Sequence, residues 1–251
     1  MTDTDSPPLL EVAHVSYRYA TQLALDTLSF VLHQGEIGAL IGRNGAGKST
    51  LLRCLAGWTQ PTGGTITVQG RDLRTSERAA RRQLVLVPDT PNFYDELTAW
   101  EHLQFVAQAH RIAKWQPEAE SQLQRFGLAS ARDTTPGGFS RGMRYKLALC
   151  MALLPRPALL LLDEPFGPLD PVSADELWDM LSKVADQQTG ILLSSHQLPA
   201  DANLDRYIVL EQGQLLADDT PSGLQARFGL RQDYSLDDLL RAALVASTHD
   251  S

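Results

Sequence analysis

The sequence predicts an α/β protein: a mixed sheet core with antiparallel strands near its N-terminus and a helix-rich insertion. Three observations carry this reading. Short segments at 9–19, 24–32 and 64–68 are bounded by turn residues and read as strands. Near-continuous apolar runs at 37–41, 159–162 and 191–194 read as strands covered on both faces, as in a parallel sheet. Helical patterns fill the intervals, and they crowd between about 90 and 155.

The helices can be justified in turn. A helix over 48–56 stops at Gly57, which suits the left-handed position after a helix end. Thr98-Ala-Trp-Glu101 is a capping box that opens an apolar-periodic stretch through about Ile112. Segments 117–126, 142–154 and 174–187 also read as helices, and a last one, 236–246, opens at Ser235 ahead of a polar tail. The expected organisation is a single domain over 1–251. Within it, 90–155 forms a helical lobe and 220–251 a C-terminal helical extension.

A chain of 251 residues buries enough surface to fold without disulfides or structural metals. Its net charge of -8 argues against a nucleic-acid partner, which would call for a basic surface. Cys54 and Cys150 lie far apart in apolar helical stretches, without neighbours at metal-ligand spacing, and are expected as reduced core side chains. The N-terminus is acidic and lacks the apolar stretch of a signal peptide. The longest apolar region, around 151–162, is cut by Pro155, Arg156 and Pro157, well short of the ~20 residues a membrane span needs. The expectation is a cytoplasmic protein with no span of its own.

Chemistry enters with Gly42-Arg43-Asn44-Gly45-Ala46-Gly47-Lys48-Ser49, a full match to the phosphate-loop pattern, followed by Thr50. The pattern requires a strand before and a helix after, and both are expected here. Such a loop turns backbone N–H groups toward a polyphosphate, and the helix dipole adds to the attraction. Lys48 should reach the terminal phosphates, and the Ser49 hydroxyl should serve Mg²⁺. Leu159-Leu-Leu-Leu-Asp163-Glu164 is an apolar strand ending in two carboxylates. At the carboxyl edge of a sheet, Asp163 would hold Mg²⁺ and Glu164 would polarise an attacking water as general base. The second carboxylate shifts the reading from nucleotide binding to hydrolysis.

With these motifs in order, the chain resembles an ATP-binding cassette ATPase over nearly its whole length. Phe139-Ser140-Arg-Gly142-Met resembles the family signature in a divergent form, placed about twenty residues before the acidic strand. The resemblance implies a head-to-tail dimer, with an identical or similar cassette, in which Ser140 and Gly142 close on the phosphate held by the partner. Gly167-Pro-Leu-Asp170 resembles the loop that links the two sites, and His196 resembles the histidine that contacts the γ-phosphate and Glu164. Tyr19 resembles the aromatic residue that stacks on adenine; Tyr17, on the same strand face, competes for that role.

One position departs from the pattern. Asp89, in Val85-Leu-Val-Pro-Asp89, stands where the family carries a glutamine. An aspartate can ligate Mg²⁺, and the alternative is a loop acid with no ligand role. An acidic residue here, with the Ser-x-Gly-Met signature, resembles cassettes that energise ABC-2-type exporters. Phe93, Tyr94 and Trp100 either line a groove for a permease or pack inside the lobe. The resemblance therefore implies an ATP-hydrolysing subunit, with ATP and Mg²⁺, peripheral on the inner membrane face and energising a separate permease. Two other readings stay open: a cassette acting on soluble machinery, and a nucleotide-dependent interaction module of low turnover.

Overall fold

The buried strands owe their apolar runs to a sheet packed on both faces. The computed structural model describes residues 7–199, 202–232 and 234–249; the first acidic residues and the end of the expected tail lie outside them. A six-stranded sheet contains β3 (Ile37–Ile41), β6 (Leu84–Val87), β7 (Leu159–Asp163), β8 (Gly190–Ser194), β9 (Arg206–Glu211) and β10 (Gln214–Asp219), in the order β10-β9-β3-β8-β7-β6. Its strands are parallel except for the antiparallel β9–β10 pair. Alternate residues serve different cores. Leu160, Leu162, Ile191 and Leu193 face one, while Leu159, Leu161 and Leu192 face the other. Each leucine so buried contributes roughly 2 kcal/mol of gross transfer free energy.

The second core lies between this sheet and a four-stranded antiparallel one, in the order β2-β1-β4-β5. Its strands are β1 (Leu10–Tyr19), β2 (Gln22–Leu32), β4 (Gly63–Val68) and the short β5 (Arg71–Asp72). Helix α1 (Lys48–Leu55) buries Leu51, Leu52, Cys54 and Leu55 in that core. The short α2 (Glu77–Arg81) precedes β6.

Between β6 and β7 the chain forms α3 (Ala99–His110), α4 (Gln116–Arg125) and α5 (Arg141–Leu153). The Thr98/Glu101 capping box is formed in both directions at α3. Helix α6 (Pro171–Ala185) begins earlier than the sequence suggested, because Pro171 occupies its first position and Asp170 caps it. Helices α7 (Pro221–Phe228) and α8 (Leu236–His249) end the fold, the latter continuing into the stretch expected as tail. Among the described residues, no helix is long and apolar enough to cross a membrane.

Candidate active site

The phosphate loop connects β3 to α1, and its backbone demands its glycines. Gly47 has φ 107, and a Cβ there would lie 2.8 Å from the Ala24 carbonyl. A Cβ at Gly42 would collide with the carbonyl of Leu210 on β9. The β9–β10 hairpin braces the loop from behind: the Gly213 N–H donates to the Ala46 carbonyl at 2.9 Å. Ala46 is buried in the core beneath. Lys48, also buried, donates from Nζ to the carbonyls of Gly42 (2.7 Å) and Arg43 (3.4 Å). The same Nζ lies 3.8 Å from Glu164 Oε1. The ammonium is thus held between the loop and the acidic strand end.

Asp163 and Ser194 pair in register at the ends of β7 and β8. Asp163 Oδ1 accepts from Ser194 Oγ at 2.6 Å and from Ser49 Oγ at 3.2 Å. Ser194 also fixes the next residue, since the Glu164 N–H donates to its carbonyl and its hydroxyl. Those bonds hold Glu164 at φ 47, a left-handed conformation unusual for a non-glycine residue and frequent at functional sites. Its Oε2 lies 2.8 Å from His196 Nδ1. Lysine, glutamate and histidine thereby form one continuous chain of polar contacts.

These groups open on a cleft of about 730 Å³, large enough for a nucleotide-sized ligand. Tyr19, Arg43, Asn44, Gly45, Gly47, Lys48, Ser49, Thr50, Asp89, Asp163 and Glu164 line it. Gly42 and Ala46 support it from behind. Tyr19 is exposed, with its hydroxyl 3.4 Å from Thr50 Oγ1, and Tyr17 packs edge-on against it while joining the core. Of the two tyrosines, Tyr19 lines the cleft and Tyr17 does not. Gln22, Leu23, Ala24 and Gln212 also line it, and the sequence reading missed them along with Ser194. A serine closing an otherwise apolar buried strand was the available signal for Ser194.

Ser49 and Asp163 present two hard oxygen donors side by side, which suits Mg²⁺, an ion that takes few protein ligands and keeps waters and phosphate oxygens. Asp89 lines the cleft, but its Oδ1 lies 2.5 Å from Arg141 Nη2. Among the described residues, no three acidic, histidine or cysteine side chains group as a metal cage.

Ser140, Gly142 and Asp170 are not part of the cleft of their own chain. Ser140 is exposed and caps α5, accepting from the Met143 N–H at 3.2 Å. A Cβ on Gly142 would press on Pro168 and Leu169. Asp170, expected in the loop that links two sites, caps α6; the Ser173 N–H and hydroxyl hold its carboxyl below the usual range.

The pattern described as ABC transporter matches residues 25–167, more than half of the chain and from β2 through the acidic strand end. The chain belongs to the ABC transporter family. EcsA, an ABC-type transporter ATP-binding protein of Bacillus subtilis (strain 168), is 35% identical over 234 residues, covering 92% of this chain and 94% of EcsA. The Nod factor export ATP-binding protein I of Rhizobium sp. (strain N33) is 35% identical over 218 residues, 86% of this chain and 72% of that protein. A solved ATP-binding subunit of an ABC transporter superposes with a TM-score of 0.88 at 36% identity, covering 94% of this chain and 99% of that one. As a member of this family the chain is an ATP-binding subunit that hydrolyses ATP to power transport, and its relatives fit the ABC-2-type exporter subset.

Proposed function

We propose that the chain hydrolyses Mg²⁺-ATP at a site completed by a second, identical or similar cassette, and so drives export through a separate permease. The observation that carries this is the split arrangement. Lys48 and Glu164 line one cleft and His196 contacts Glu164, while the Ser140 helix tip stands exposed outside it. A helix N-terminus attracts anions, and a second copy could present its own tip to the γ-phosphate. Tyr19 would stack on adenine, and the loop amides with Lys48 would neutralise the phosphates. Glu164 would take a proton from the attacking water, with His196 holding its carboxylate in place. Ser49 and Asp163 would hold Mg²⁺, which when bound neutralises phosphate charge; Asp89 would act through water.

The same reading treats the chain as a single domain, with 90–155 as a lobe that moves with nucleotide state and 220–251 as an extension. Where that lobe meets the end of α1 and β6, a groove of about 500 Å³ is lined by Arg53, Trp58, Phe93, Val106, His110 and Met151. Trp58, at its rim, is exposed. An apolar segment of the permease suits this groove, and it would bring the subunit to the inner membrane face. Of the three aromatics singled out in the sequence, Phe93 lines the groove, whereas Trp100 packs against Trp115 and Arg132, and Tyr94 against Phe105. The export direction is supported by the Nod factor export relative.

Steady-state ATP hydrolysis by Glu164→Gln and Lys48→Ala tests the catalytic roles. Each should lose at least about a hundredfold in turnover, and a Glu164→Gln variant working at the parent rate would refute the mechanism. Affinity isolation from detergent-solubilised membranes should recover a multi-spanning protein with the chain; recovery of a ribosome or DNA assembly would favour action on soluble machinery.

A further inference from the structure

The residue at which this chain departs from its family's usual pattern touches the signature segment. Asp89 replaces the expected glutamine, and Arg141 occupies the variable position of the signature; 52 residues apart in sequence, they form an ion pair at 2.5 Å. One turn further along α5, Arg144 continues the contact. Its guanidinium donates to the Pro91 carbonyl at 3.4 Å and the Pro136 carbonyl at 3.1 Å, and lies 5.1 Å from the Phe93 ring centroid. Two arginines on successive turns thus grip the loop at Asp89, Pro91 and Phe93. That loop has two ends in different places: Asp89 lines the cleft, and Phe93 lines the apolar groove at the edge of the lobe.

We infer that Arg141 and Arg144 are positioning residues. They clamp the loop 89–93 to the first turns of α5, so that the cleft, the groove and the exposed Ser140 tip move as one unit. The inference rests on the transport-ATPase reading above and specifies how that reading transmits force. Static stability is not its purpose. Both members of the Asp89–Arg141 pair are substantially exposed, at 41% and 59%, and pairs of that kind contribute little to folding. A weak, oriented contact at the head of a helix can instead set where the helix tip points. Misplacing a reacting group by about 1 Å is enough to cost about a hundredfold in rate.

The test is a double-mutant cycle on the full chain with its permease, using Asp89→Ala, Arg141→Ala and both together, with Arg144→Ala alongside. Nucleotide affinity, read with a fluorescent ATP analogue, should stay within about threefold, while kcat falls about tenfold for Arg141→Ala and for Arg144→Ala. If Asp89 and Arg141 act as a pair, the double variant is no slower than the slower single variant. Losses that multiply, or parental turnover in Arg141→Ala, would overturn the clamp. Arg141→Lys, which keeps the charge, should recover most of the turnover; no recovery counts against the pair. Glu164→Gln run in parallel separates the two levels. Its hydrolysis at the parent rate defeats the ATPase mechanism itself, whereas an inactive Glu164→Gln with multiplying losses defeats only the clamp.

Discussion

Tyr145 lies one helical turn beyond Arg141, fully buried, and among the described residues its hydroxyl has no hydrogen-bond partner. Burial, with Asp163, Asp89 and Glu164 nearby, pushes the phenol well above its ordinary pKa, so it stays neutral. A buried hydroxyl without a partner costs folding free energy. Tyr145→Phe should therefore leave stability unchanged or raise it by up to about 1 kcal/mol in urea unfolding. A loss of that size would mean that the hydroxyl is paired. The two thiols follow a similar rule. Burial pushes Cys54 up to about 12 and Cys150 higher still, while an unfolded chain ionises its thiols near 8.5. Their contribution to stability is fully present below that value and is lost progressively as pH rises from there toward the folded-state pKa, about 12 for Cys54. A thiol reagent at pH 8 should label neither cysteine in the native protein and both in urea; rapid native labelling would contradict the burial. At this scale the sequence was most legible where a motif fixes spacing, as for Lys48, Asp163 and Glu164. It offered only a weak sign of Ser194, a serine closing an apolar strand, whose role depends on the register of β8 against β7.

At the scale of elements, the instructive omission is the β9–β10 hairpin. Gln212 and Gly213 both have positive φ, 48 and 81, which defines a two-residue hairpin turn of the kind that matches strand twist. A Gln-Gly between two apolar runs is a weaker marker of such a hairpin than Asn-Gly. Yet this hairpin carries the Leu210 and Gly213 contacts that brace the phosphate loop. Strand β6 was hidden differently: four apolar residues followed by Pro88 are too short to show a period. Helices with capping signals, such as α3, were read almost to the residue. The hairpin is tied to the rest of the sheet by Arg206, whose guanidinium reaches Glu36 at 2.8 Å and Asp218 at 2.6 Å, all three mostly buried. Removing the cation would leave two carboxylates facing low dielectric. Arg206→Met should cost about 2–4 kcal/mol and lower Tm by roughly 5–10 °C; a shift under about 2 °C would show that the carboxylates find other partners.

At the scale of the molecule, the chain divides its chemistry between two edges. One holds the cleft, with Lys48, Glu164 and His196 in contact. The other holds the Ser140 cap, with Gly142 set against the 168–169 turn. The fold class and the cleft were legible because each motif is local to a strand end. The separation of the edges was implied only by family resemblance, since no local pattern reports how far apart two loops lie. The proposed shared site predicts an association that depends on nucleotide: ATP held by one copy should recruit the tip of another, and hydrolysis should release it. The most direct measurement is the mass of Glu164→Gln by light scattering, with and without saturating Mg²⁺-ATP. A dimer with ATP that reverts to monomer when nucleotide is removed, and that Ser140→Arg abolishes, is the expected result. A Glu164→Gln chain that stays monomeric with its cleft filled would contradict the shared site.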